Sequence, residues 1–120
     1  MRNLKSAAML VFLVCEVAQG GDARAGREAF EKRCTGCHSV DAMKVGPPLR
    51  GVYGRNAGKD PRFPYSDALR KASVRWDEPT LDKWLTDTES VVPENDMTFR
   101  LNDAKDRASI IAYLRALSGK

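Results

Sequence analysis

Cys34-Thr35-Gly36-Cys37-His38 gathers two thiols and an imidazole into five consecutive residues. Two thiols three positions apart can add to the two vinyl groups of one haem, and the histidine beside them is then placed under the iron as an axial ligand. Covalent links of this kind let a small chain keep a large cofactor. Three other uses of the same residues compete. A structural zinc site needs four ligands, usually Cys and His. Beyond its N-terminal segment the chain offers Cys34, Cys37 and its single histidine, so the site could close only with carboxylates. A thioredoxin-like dithiol expects a preceding strand and a βαβ context, whereas a helical pattern leads into Cys34. A plain disulfide leaves His38 and the glycine-rich stretch after it without a role.

With one histidine in the chain, bis-histidine ligation is excluded, and the sixth position falls to Met, Lys, Asn, water or nothing. Met43 follows His38 by five residues and would have to pass around the ring edge at once, so it is read as loop packing. Met97 lies 59 residues on, in an irregular segment stiffened by Pro93, and is the candidate ligand. Its alternative is an ordinary core methionine.

The 120 residues suffice for one domain. Residues 1–20 read as a secretory signal peptide. Arg2 and Lys5 form a positive start, Ala7 to Val14 an apolar run, and Ala18-Gln19-Gly20 a small-residue cleavage site, with Gly21-Asp22-Ala23 as a second possibility. The run is too short to span a bilayer, and Glu16 interrupts it. Cys15 follows Val14, where a lipidated cysteine wants a small residue before it, so Cys15 leaves with the signal. Residues 21–120 then form the domain, a thin core that calls for a staple or a large apolar cofactor.

The whole chain carries a net charge of +4, which haem propionates would reduce, so it does not argue for nucleic acid. Its distribution is uneven. Residues 22–76 hold 12 basic and 6 acidic side chains, residues 77–96 hold one and seven, and residues 97–120 five and two. Such a dipole can orient the molecule before docking, although a solvated acidic helix would give the same pattern.

Asp22 predicts an N-cap for a helix over Ala23–Arg33, with Ala25, Ala29 and Phe30 on the apolar face. Residues 39–64, rich in Gly and Pro, read as a long loop with turns, and a loop of that length is functional or wraps around something. Ser66 caps a short helix over Asp67–Ala72. Asp77-Glu78-Pro79 starts another that runs to about Thr86, with Leu81, Trp84 and Leu85 on one face. Residues 87–101 read as irregular. Asn102 caps the last helix, whose stripe is Ile110, Ile111, Leu114 and Leu117, and Gly119 ends it. Alternating Val-rich runs are nearly absent, so the fold class is all-α with extended loops.

Gly26 and Phe30 before the haem motif, Gly46-Pro47-Pro48-Leu49, Gly51-Val52-Tyr53-Gly54-Arg55, Tyr65-Ser66-Asp67-Ala68, Trp76, Thr80-Leu81, Pro93, Met97-Thr98-Phe99 and Ile111-Ala112-Tyr113-Leu114 together resemble the class I cytochromes c, mitochondrial and soluble bacterial. The resemblance covers nearly all of residues 21–120. It implies first and last helices that cross, with shorter helices and long loops wrapped around one covalently bound haem c. Gly26 and Phe30 would meet Ile110 and Tyr113 at the crossing. The Pro47 carbonyl would accept a hydrogen bond from His38 Nδ1 and raise the basicity of the ring. Arg55, Tyr65 and Trp76 would bind the propionates. Trp84 stands where the mitochondrial pattern has a tyrosine beside the methionine sulfur. Glu89, Glu94 and Asp96 occupy a loop that is lysine-rich there, while Arg33 keeps its basic character.

The expected function is one-electron transfer through a His38/Met97-ligated haem, with no enzymatic step. The expected carrier is a periplasmic monomer without a stable membrane anchor. Its partners would be redox proteins, a reductase and an oxidase or dehydrogenase, and not nucleic acid. The alternatives are a cytochrome subunit of an oxidase or dehydrogenase complex, or a haem protein with an open iron that binds ligands.

Overall fold

The computed structural model describes Val11 and residues 21–120. The expected signal segment, Cys15 included, lies outside the described residues except for Val11.

Five helices follow in chain order: α1 (Ala23–Arg33), α2 (Asp67–Lys71), α3 (Glu78–Thr86), α4 (Thr88–Val91) and α5 (Ala104–Leu117). Among the described residues there is no strand, only an isolated antiparallel bridge between Asn56 and Arg75. The fold is all-α, as the sequence predicts.

Each helix begins where a side chain can take an orphan N–H. Asp22 accepts from the Arg24 N–H at 2.9 Å, and Ser66 from the Leu69 N–H at 3.2 Å. Asp77 and Thr80 form a reciprocal capping box with Pro79 in the first turn of α3. Lys32 and Arg33 close α1, where the helix dipole favours cations.

Three expectations are corrected. The cap of α5 is Asp103, not Asn102: its carboxylate accepts from the Lys105 and Asp106 N–H groups at 3.0 and 3.1 Å. Residues 87–101 are not wholly irregular, because Asp87 takes the Glu89 N–H at 3.2 Å and starts the single turn of α4. Finally, α2 stops at Lys71, and extended Ala72 is its C-cap.

α1 crosses α5. A Cβ on Gly26 would come within 1.8 Å of the Ser109 carbonyl oxygen, so only glycine lets the two backbones approach this closely. Phe30 and Tyr113 fill the crossing with ring centroids 5.4 Å apart, and Ile110 is 1% exposed beneath them. Leu81, Trp84 and Leu85 of α3 and Ile111 and Leu114 of α5 continue the core. The long loop from 39 to 64 is pinned at both ends by main-chain bonds. Leu49 and Arg50 donate to the Ser39 and Val40 carbonyls, Ala57 donates to the Val74 carbonyl, and the Arg55 carbonyl accepts from the Trp76 N–H.

Candidate functional site

The loop, α1, α3 and α5 leave a cavity of about 790 Å³ between them, within the roughly 300–1,000 Å³ of cofactor-sized pockets. Its wall gathers residues far apart in the chain: Cys34, Cys37 and His38 after α1, Arg55 and Tyr65 from the loop, Trp76 and Trp84, and Met97 before α5. Pro47 belongs to the same lining. Every site residue expected from the sequence therefore borders one space.

His38 sits at the end of a turn that prolongs α1, its N–H donating to the Cys34 carbonyl at 2.8 Å. The ring is buried, and Nδ1 lies 2.9 Å from the Pro47 carbonyl oxygen. That contact fixes Nδ1 as the protonated nitrogen and leaves Nε2 with its lone pair. Burial holds the ring below the ordinary histidine range. The nearby Lys44 charge adds to this, against the opposing Pro47 hydrogen bond. A neutral imidazole is the form that can ligate a metal. Gly46 packs directly against the ring: a Cβ there would lie 2.3 Å from Cε1. In the sequence Gly46 belongs to the loop and to the family resemblance, with nothing to mark its contact with the ring.

The two thiols are unbridged, with Cys37 exposed and Cys34 half-buried. Burial pushes the Cys34 thiol up to about 11. Among the described residues no three or more His, Cys, Asp or Glu come together as a metal cluster.

Polar groups border the cavity at the loop. Tyr65 Oη accepts the Asp60 N–H at 3.3 Å, so its own proton is left to donate. Burial raises its phenol above the ordinary value, which keeps that proton in place. Arg55 has no carboxylate partner among the described residues. The Trp76 and Trp84 rings lie 5.1 Å apart, both largely buried. An apolar cavity with adjacent thiols, a neutral imidazole, a thioether and an unpaired guanidinium suits a flat, apolar, metal-bearing ring with carboxylate tails. A haem with two propionates has that chemistry. Met43, expected to pack within its loop, is instead 50% exposed on the cavity rim, beside Val45 at 76%. No described helix is long and apolar enough to cross a membrane.

Residues 23–118 match the family model for cytochrome c. Cytochrome c2 iso-2 of Magnetospirillum fulvum is 51% identical over 87 residues, which cover 70% of this chain and 91% of the relative. Cytochrome c2 of Rhodomicrobium vannielii is 38% identical across the full length of both chains. Among solved structures, cytochrome cH from Methylobacterium extorquens superposes with a TM-score of 0.75 at 42% identity, covering 80% of this chain and 99% of that one. Matched along nearly all of its described length, the chain belongs to the cytochrome c family, binds one haem c covalently through its cysteines, and carries electrons rather than catalysing a reaction.

Proposed function

We propose that this chain is a one-electron shuttle of the periplasm, with His38 Nε2 and Met97 Sδ as the axial ligands of the haem held by Cys34 and Cys37. The observation that carries the ligand pair is their arrival at one cavity from segments 59 residues apart. The Pro47 contact at 2.9 Å supports His38 as a ligand, because it fixes the tautomer and raises ring basicity. Arg55, Tyr65 and Trp76 are the residues that would neutralise and hydrogen-bond the propionates, and Trp84 would tune the surroundings of Met97. The bound iron supplies the redox chemistry, and a weakly donating thioether favours its ferrous state and so a higher potential.

An exported protein without a membrane span would diffuse between a reductase and an oxidase or dehydrogenase. It would act as a monomer, docking through small, transient interfaces. Nucleic acid has no part in this reading.

The test is the optical spectrum of the protein produced with haem-attachment machinery. The wild type is expected to be low-spin with the weak far-red band of methionine–ferric ligation, and Met97→Ala is expected to lose that band. A high-spin ferric wild type would move the assignment to an open iron that binds ligands.

A further inference from the structure

Met97 lies in the stretch between α4 and α5, where no helix holds it. Two side chains do. The Thr88 hydroxyl donates to the Met97 carbonyl and accepts from the Phe99 N–H at 3.2 Å. The Asn95 side-chain oxygen accepts from the Met97 N–H at 2.7 Å, while its nitrogen donates to the Val92 carbonyl at 2.7 Å. Both main-chain polar groups of Met97 are thus engaged by side chains. The anchorage is firm: Thr88 is 2% exposed, and its own N–H donates to the Phe99 carbonyl at 3.2 Å. Glu94 adopts φ 65°, a left-handed conformation for a non-glycine residue, and its N–H is taken by the Glu89 carboxylate at 2.9 Å. Side chains therefore bend this loop back onto α4.

We propose that Thr88 and Asn95 are positioning residues that clamp the Met97 backbone and so hold its sulfur on the iron. The proposal rests on Met97 being the axial ligand. A thioether is an uncharged, weak donor, so its retention depends on how firmly the loop stays closed. Thr88→Val preserves shape but leaves the Met97 carbonyl and the Phe99 N–H, both in half-buried residues, without their partner. That penalty applies while the loop is closed and is relieved by water when it opens. The variant shifts the balance toward the open, methionine-off form.

Imidazole displaces a weak axial ligand from ferric iron, so its apparent Kd reports how tightly Met97 is held. In ferric holoprotein, Thr88→Val is expected to bind imidazole about tenfold more tightly than wild type. Thr88→Ser, which restores the hydroxyl, should return close to wild type, a rescue that packing alone would not produce. Should Thr88→Val fail to fold, the half-buried Asn95→Ala reads the other arm of the clamp and is expected to tighten imidazole binding likewise. Unchanged imidazole affinity in the folded variants, with the far-red band present in wild type, overturns the clamp alone. Absence of that band in wild type overturns the methionine ligand and the clamp together.

Discussion

Asp60 lies in the loop beside the cavity, its side chain 2% exposed. Arg62 donates to it through Nε, a terminal guanidinium nitrogen and its own N–H, at 3.0, 2.9 and 3.0 Å. These hydrogen bonds, led by those of the guanidinium, bring the carboxyl down from 3.8 to about 2. A carboxylate with a depressed folded value contributes stability in full above its unfolded value and loses it as pH falls through the folded one. Asp60→Asn should therefore be less stable than wild type at neutral pH. The gap between their urea midpoints should close as pH drops from 3.8 toward about 2. A gap that stays constant over that window would mean the charge itself contributes nothing. Nothing in the local sequence marked Asp60, because a carboxylate in a Gly/Pro loop reads as solvated until the fold buries it.

Asn102 and Asp103 are both good N-caps by type, and the sequence cannot rank two adjacent candidates. The path of the chain into α5 selects Asp103, whose carboxylate takes two N–H groups of the first turn. Asp103→Ala should cost about 1 kcal/mol in denaturant unfolding, and Asn102→Ala should stay within about 0.5 kcal/mol of wild type. The reverse order of losses would return the cap to Asn102. The single turn of α4 escaped notice for a different reason: four residues are too few to show a 3.6-residue period. Its one readable signal was Asp87 ahead of Thr88-Glu89.

Across the molecule, the acidic run of residues 77–96 falls on α3, α4 and the start of the Met97 loop, while the flanking segments are basic. Arg33, the basic residue just ahead of the haem motif, borders the cavity but is not a free charge. It pairs with Asp106 of α5 at 2.9 Å. If redox partners approach this rim through acidic groups, Arg33→Glu should slow electron transfer at low salt. Asp106→Asn, by unmasking Arg33, should speed it. Added salt should shrink both differences, because screening shortens the reach of surface charge to about 10 Å at 0.1 M. Stopped-flow rates that ignore both substitutions at low salt would point instead to the exposed apolar pair Met43 and Val45 as the docking contact.

The haem motif was legible because all its chemistry lies within five residues, and the helices because caps and apolar stripes repeat over short windows. Arg55, Tyr65, Trp76 and Trp84 came from the family resemblance, since nothing around each one separates a haem contact from a core aromatic or a surface charge. The fold alone supplied the packing of Gly46 on the His38 ring, the burial of Asp60 beside Arg62, and the grip of Thr88 and Asn95 on Met97. These contacts depend on how loops without periodicity travel through space. A hydrogen bond between Thr88 and Met97, nine residues apart across a turn, leaves no pattern in the order of the residues.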